Sequence, residues 1–333
     1  MTQPTRRRFI RTAATAAAAL VLAPAIVGRA QARTALTVAS LFGDDKPETQ
    51  IWHRIRDLVE ERLPGRFAFN IVGNAALGGE KEVAEAIRLG AVQASLSTVS
   101  ALSGWVPQVQ LLDLPFLFRD AAHVRATVSG EIGAELKHRL AAQGFVVADF
   151  INYGARHLLT REPVTRPEEL RGKRIRVIQS PLHTRLWSAF GAVPIGVPIP
   201  ETYNALQSGV ADAMDLTKSA YAGFRLYEVV PCLTETGHIW ASGVVCFAAA
   251  FWNGLDDEAK AALGQAAGEG AAHFDELIVA DEERSIAVAA AHGGRVFQPE
   301  MREAWEEGAR DVWRDFADIV GGLDRIEAIR NAG

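Results

Sequence analysis

The alternation of strand-like and helix-like segments constrains the fold of this chain most strongly. Apolar residues recur at period two in "RFAFNIV" (66–72), whereas Ile51, Ile55 and Val59 are spaced as on one face of a helix. The same helical spacing recurs in the segment that Gly144 terminates. A chain that alternates in this way forms α/β layers with mostly parallel sheets.

The predicted elements continue along the chain in the same alternating order. The strands cover 36–41, 66–72, 91–100, 145–151 and 174–179, and the helices cover 48–63, 79–90, 131–144, 181–191 and 200–209. Residues 256–291 are rich in Ala and Glu and predict a long helix that could be interrupted near Gly268 and Gly270. Two sets of units, before and after about residue 153, predict two lobes.

The first 32 residues are typical of a secretory signal that is cleaved near Ala32. A basic start is followed by a mild, Ala-rich apolar segment and an A-x-A end. Arg6 and Arg7, followed closely by Phe9, resemble the twin-arginine export signal of bacteria. An ordinary secretion signal is the alternative, and a membrane anchor is disfavoured because Pro24 interrupts the apolar segment.

The remaining chain is acidic, which excludes two broad classes of partner. The full sequence has 35 Lys and Arg against 40 Asp and Glu, and five of the arginines lie in residues 1–32. The rest therefore carries 30 basic against 40 acidic residues, a formal charge of −10. Nucleic acid and anionic lipid are not expected as partners, although a local pair of arginines can still hold a small anion.

Cys232 and Cys246 are the two cysteines of the chain. In an oxidising compartment they could form a disulfide, or they could remain as two buried thiols. A strand in the segment between them would keep the two thiols apart.

The sequence carries no common catalytic or metal-binding motif. It has no G-x-S-x-G elbow, no H-E-x-x-H and no P-loop, and its histidines lack metal-ligand spacing. We therefore expect no metal and no cofactor. Asp212, Asp215 and His183 remain candidates for acid–base chemistry, although a capping or structural role is the simpler interpretation.

Two arginines are the strongest candidates for a binding function. Arg176 lies between apolar residues on the predicted strand 174–179, and Arg156 follows the predicted strand 145–151. Ligands of α/β proteins bind at strand ends, and the guanidinium fork matches a carboxylate through two parallel hydrogen bonds. Each arginine could instead pair with an acidic residue of the protein itself.

From about residue 36 to 245 the chain resembles the solute-binding proteins of TRAP (tripartite ATP-independent periplasmic) transporters, of the dicarboxylate-binding type. The matching segments share the order and spacing of that family; they are "LGGEKEVAEAIRLGAVQ", "LLDLPFLFRD", "YGARHLLT", "PVTRPEELRGKRIRV", "FGAVPIGVPIPETYNALQSGVADA" and "LYEV".

The resemblance implies a two-lobed periplasmic binding protein of the α/β class, with a ligand cleft between the lobes and a long connecting helix. Lobe I is expected to comprise residues 33–153 and about 242–281, and lobe II residues 154–241 and about 282–333. The protein would capture a small carboxylate in the periplasm and deliver it to membrane permease subunits, without an anchor of its own.

The resemblance also implies where the ligand binds. Arg176 matches the family's main carboxylate anchor, and Arg156 matches a second arginine. Leu216 stands where many relatives have Asn, which favours a smaller or more apolar acid. Further expected contacts are side chains near the cleft; they are Phe42, Thr98, Asn152, Trp187 and Asp215.

Three other functions remain open at this point. The ligand could be a zwitterionic osmolyte rather than a simple carboxylate. The protein could be a periplasmic lyase or hydrolase acting on a small acid through Asp212, Asp215 or His183. It could also be a sensory partner that delivers its ligand to a membrane kinase.

Overall fold

A nine-stranded mixed sheet organises residues 33–332, which are the residues that this computed structural model describes. The strands are β1 (Thr34–Ala39), β2 (Phe67–Val72), β3 (Ala94–Thr98), β4 (Phe145–Thr160), β5 (Arg174–Val177), β6 (Val193–Gly196), β7 (Ala213–Thr217), β8 (Cys232–Ala248) and β9 (Arg295–Phe297). The predicted signal in residues 1–32 lies outside the described residues.

Twelve α-helices of the described residues pack around this sheet. They are α1 (Pro47–Arg62), α2 (Glu80–Arg88), α3 (Val99–Leu102), α4 (Ala121–Val128), α5 (Glu131–Ala142), α6 (Pro181–Ala189), α7 (Ile199–Gln207), α8 (Lys218–Gly223), α9 (Ala249–Asn253), α10 (Asp257–Ala291), α11 (Arg302–Val320) and α12 (Leu323–Asn331). Short 3₁₀ turns cover Pro107–Asp113, Pro167–Leu170 and Leu226–Glu228.

The strand order is β2-β1-β3-β8-β4-β7-β5-β6, and β9 pairs with β8. The outer parts of the sheet are parallel, as the alternating pattern predicts: β1 pairs in parallel with β2 and β3, and β5 with β6 and β7. The centre of the sheet differs, because β4 and β8 run antiparallel to each other. In addition, β4 runs antiparallel to β7, and β8 runs antiparallel to β3. The sheet is therefore mixed, with one parallel part on each side of the central β4–β8 pair.

The strand predicted over 145–151 is longer than expected and continues to Thr160. Its pairing with β8 shifts register between Asn152 and Ala155, which marks a β-bulge. Gly154 lies in this bulge with φ of +95°, a conformation that suits glycine, and its N–H donates to the Asn152 side chain at 3.2 Å. The strand β4 pairs with β8 on both sides of this bulge, and it pairs with β7 only beyond it, from Arg156 onward.

The long helix α10 is continuous over 35 residues, about 52 Å at 1.5 Å per residue. The interruption predicted near Gly268 and Gly270 is wrong. A Cβ atom added at Gly270 would lie 2.7 Å from a side-chain carbon of Ile55. The absence of a side chain at Gly270 therefore serves the close packing of α10 on α1.

Both cysteines are buried free thiols. Cys232 begins β8 and Cys246 lies near the end of the same strand. At about 3.3 Å per residue, the strand holds them about 46 Å apart, which excludes a disulfide between them.

No helix within residues 33–332 combines the length and the hydropathy that crossing a membrane requires. Residues from Thr34 onward form one compact unit. The lobe boundaries near residues 153, 241 and 281 therefore stay a prediction.

Candidate functional site

A cavity of about 60 Å³ lies between the two parallel parts of the sheet. One side contributes residues that follow β1 and end β3, and the other contributes residues of β5 and β7. Four charged residues line it: Arg156, Arg176, Glu48 and Glu80. The chemistry of the site follows from how each of these charges is compensated.

Arg176 carries a buried charge that has no ion-pair partner within the described residues. Arg176 lies on β5 and is 2% exposed to solvent. Its Nε donates a hydrogen bond to the carbonyl oxygen of Val197 at 2.8 Å. Within residues 33–332, no carboxylate lies within ion-pair distance of this guanidinium. Burial, and secondly the nearby Arg156, lower the pKa of Arg176 from 12.5 to about 10.

Arg156 is also buried, but it is already paired. Its Nε donates to Asp215 Oδ2 at 2.5 Å and its Nη2 donates to the Asp215 carbonyl oxygen at 2.8 Å. Burial disfavours the Arg156 cation, but Asp215 outweighs this effect and leaves the pKa of Arg156 above its ordinary value. Burial likewise opposes the Asp215 anion, yet Arg156 holds the pKa of Asp215 well below its ordinary value.

The two arginines reach the cavity from strands on either side of β7. Arg156 is aligned with Thr217 and Arg176 with Met214. The expectation that Arg156 follows its strand, next to the strand of Arg176, is therefore wrong, because β4 continues past residue 151 and β7 lies between the two strands. Leu216 of β7 lines the cavity between them.

Phe42 and Thr98 line the opposite side of the cavity. The ring of Phe42 packs on that of Phe224 with centroids 4.5 Å apart, so residues distant in sequence form one aromatic wall. The Thr98 hydroxyl accepts the Ala101 N–H at 3.3 Å and thereby caps α3. Five of the eight sequence-predicted contacts, Arg156, Arg176, Leu216, Thr98 and Phe42, thus surround one cavity.

The structure does not place Asn152, Trp187 or Asp215 among the lining residues that it describes. Trp187 is 1% exposed and donates from Nε1 to Asp215 Oδ1 at 3.3 Å, as packing of α6 against the sheet requires. Asp215 instead holds Arg156, and Asn152 holds the bulge at Gly154. These three residues hydrogen-bond to other groups of the protein and are not among the described residues that line the cavity.

Two acidic lining residues were not predicted from the sequence. Glu80 begins α2, and its Oε1 accepts the Thr98 backbone N–H at 2.7 Å. Burial raises its pKa, against the opposing effects of that hydrogen bond, of a hydrogen bond with the Thr98 side chain and of the two arginines. Glu80 lies inside "LGGEKEV", one of the segments that carry the resemblance, so that motif was the available signal.

Glu48 is the second acidic residue that the sequence did not single out. It lies in the first turn of α1, is 4% exposed, and its Oε2 has no hydrogen-bond partner in the part of the chain that the structure describes. Burial raises its pKa from 4.5 to about 7. An acid in the first turn of a helix is ordinarily an exposed stabiliser of the helix dipole, so the sequence contains no signal for its burial.

The candidate acid–base residues are not brought together. Asp212 forms a surface ion pair with Arg174 at 2.7 Å, whereas Asp215 pairs with Arg156. His183 is fully buried, and its Nε2 lies 3.3 Å from the Ser100 hydroxyl, outside the cavity lining. Within residues 33–332, no group of three or more His, Cys, Asp or Glu side chains is arranged to hold a metal ion. None of these three candidate residues lines the cavity that the structure describes.

Comparison with known proteins agrees with this geometry. Residues 38–318 match the family described as bacterial extracellular solute-binding protein, family 7 (DctP). The chain belongs to this family. Among its relatives, the C4-dicarboxylate-binding periplasmic protein DctP of Shewanella loihica is 27% identical over 300 residues, which are 89% of each chain.

Solved structures of TRAP periplasmic solute binding proteins share the fold. A TRAP periplasmic solute binding protein from a Bradyrhizobium species, in complex with α/β-D-galacturonate, is 27% identical with a TM-score of 0.86; the match covers 89% of this chain and 99% of that one. Another from Sulfurospirillum deleyianum, with bound succinate, is 26% identical with a TM-score of 0.85, covering 91% and 100%. The predicted family and the two-lobed α/β fold are confirmed.

Proposed function

We propose that this family 7 protein is the periplasmic receptor of a TRAP transporter, which captures a small organic acid and delivers it to the membrane permease. The observation that carries the proposal is the guanidinium of Arg176, buried in a cavity without a carboxylate partner from the protein. A buried charge is stable only when it is paired, so the cavity is complete only with an anion.

The ligand's carboxylate would bind the two terminal nitrogens of Arg176. The Nε of this residue is engaged with Val197, which fixes the plane of the guanidinium and leaves its outer edge for the ligand. Arg156 adds a second, weaker cationic contact, because Asp215 already compensates much of its charge. The water-excluded site strengthens both contacts relative to bulk water.

The remaining parts of the proposal follow from the family. The protein would be exported through the signal in residues 1–32 and act without catalysing a reaction. Closure of lobe I (33–153 and about 242–281) on lobe II (154–241 and about 282–333) would change the surface that the permease subunits contact.

A thermal-shift screen of monocarboxylates, dicarboxylates, sugar acids and 2-oxo acids tests this function. A true ligand at a hundredfold excess over its dissociation constant raises the free energy of unfolding by about 2.7 kcal/mol. The bound acid is then released by denaturation and identified by mass spectrometry. Recovery of the acid unchanged supports a receptor, whereas a chemically altered product would identify the protein as an enzyme.

A further inference from the structure

The charges around the cavity limit how many carboxylates a ligand can carry. Of the two lining arginines, Arg156 is already paired with Asp215, so Arg176 is the one lining arginine without an ion-pair partner among the described residues. The other two charged lining residues, Glu48 and Glu80, are acids. A second ligand carboxylate would therefore lie beside acidic side chains rather than beside an unpaired cation, which disfavours it.

Glu80 offers unused hydrogen-bond acceptors at the cavity. A carboxylate has about four acceptor positions, and the backbone N–H and the side chain of Thr98 occupy two of them. Glu80 lines the same cavity as both arginines, and their charges partly offset the rise in its pKa that burial causes, yet it forms no ion pair with either within the described residues. A ligand bound to Arg176 thus presents its adjacent groups to Glu80.

Glu48 gives an independent indication of the same chemistry. Its carboxyl oxygen Oε2 is buried and has no partner within residues 33–332, although the residue lines the cavity. Buried polar groups are almost always hydrogen-bonded, so an unpartnered oxygen on a residue that lines a cavity indicates a missing donor. A ligand whose only polar groups are ionised carboxylates has no hydrogen-bond donor, so it would leave both acids without this partner.

The size and the walls of the cavity limit the rest of the ligand. The volume of about 60 Å³ accommodates a few water-sized groups, and Phe42, Phe224 and Leu216 provide apolar walls. A short carbon chain fits these walls, whereas a large polyhydroxylated ring would leave hydroxyl groups against them without partners.

We propose that the ligand is a short-chain monocarboxylate that also carries a hydrogen-bond donor, either a hydroxyl or an ammonium group, which Glu80 and Glu48 accept. This proposal rests on the proposed receptor function and specifies its ligand class. It excludes the simple C4-dicarboxylates for this chain, because their second carboxylate would face the two acids.

Calorimetric titration of the ligand-free protein with matched acids tests the proposal. Propionate is compared with lactate and alanine, and butyrate with 3-hydroxybutyrate and 4-aminobutyrate, so that each pair differs in the donor; succinate supplies a second carboxylate. The preferred donor-bearing acid should bind at least about tenfold more tightly than its parent acid and than succinate, the gain expected of a charged hydrogen bond. The hydroxy and amino members of each set distinguish the two kinds of donor.

The outcomes distinguish failure of the proposed ligand class from failure of the proposed receptor function. Equal or tighter binding of propionate, butyrate or succinate overturns the donor requirement and leaves the receptor function intact. If neither these acids nor any in the wider screen binds, the proposed capture of organic acids fails, and the ligand class fails with it.

A pair of variants separates selectivity from folding. Glu80→Gln removes the charge of Glu80 and should weaken binding of the preferred acid about tenfold while strengthening binding of succinate, because the repulsion is relieved. The control Glu82→Gln alters an exposed acid of the same helix and should leave both affinities unchanged. Weakened binding of both acids in Glu80→Gln would contradict a selective role for this residue.

Discussion

Replacement of Arg176 by Met should stabilise the ligand-free protein while it abolishes binding. Met keeps an unbranched apolar side chain on β5 but removes the charge. The pKa of Arg176 is lowered from 12.5 to about 10, which at about 1.4 kcal/mol per pH unit corresponds to about 3 kcal/mol. Because the folded-state pKa is depressed, the cation costs this free energy at any pH below about 10, and neutral pH lies in that range.

The ligand's carboxylate compensates this charge in the wild-type protein, so the same substitution removes the main binding contact. Loss of one partner from a buried charged pair costs about 2–5 kcal/mol, which weakens binding roughly thirtyfold to several thousandfold. The two effects of Arg176→Met therefore have opposite signs. A general loss of structure would lower both quantities.

Urea denaturation without ligand measures the first effect, and calorimetric titration with the acid from the screen measures the second. Arg174→Met is the matched control, because Arg174 lies on the same strand but is exposed and pairs with Asp212. This control should leave both measurements near those of the wild-type protein. Unchanged affinity in Arg176→Met, or an equal loss in Arg174→Met, would refute the reasoning.

Three further predictions address the surrounding side chains. Asp215→Asn should destabilise the protein by about 3–5 kcal/mol in urea denaturation, because it leaves the buried Arg156 cation without its partner; a loss near zero would contradict this. Glu48→Gln should become progressively more stable than the wild-type protein as pH rises from 4.5 to about 7, by up to about 3 kcal/mol, because burial raises the pKa of Glu48 across that window and penalises its ionised form. A stability difference that does not vary with pH would argue against it. Trp187→Phe should change affinity less than about threefold and cost about 1 kcal/mol of stability through the lost hydrogen bond to Asp215, and a large affinity loss would return Trp187 to the site.

Local periodicity predicts most elements of this fold, because it reflects which face of each segment is buried. The helices α1 and α5 occur within a few residues of their predicted bounds. The strand β4 extends beyond the predicted 145–151 because the segment Asn152-Tyr153-Gly154 forms a bulge within a longer strand. The pairing partner that makes this possible, β8, is distant in sequence, so a local pattern does not contain that information.

The cations of the site were easier to predict than its acids. Arg176 is conspicuous in the sequence because a permanent charge on a buried strand needs a reason. The burial of Glu48 arises only when α1 packs beside the cavity, and the ion pair of Arg156 with Asp215 joins residues 59 apart in sequence. Whether an arginine serves the ligand or the protein is decided by such tertiary contacts.

The packing of Phe42 against Phe224 has a consequence for how quickly a ligand can leave. The ring of Phe42 also lies against Gly223, where an added Cβ atom would come within 2.7 Å of it. The substitution Gly223→Ala would therefore push the ring of Phe42 away from that of Phe224 and weaken this wall of the cavity, while the charged residues of the cavity stay unchanged. The bound ligand would then dissociate faster, although the residues that recognise it are unchanged. The substituted residue, Gly223, is not among the lining residues of the cavity.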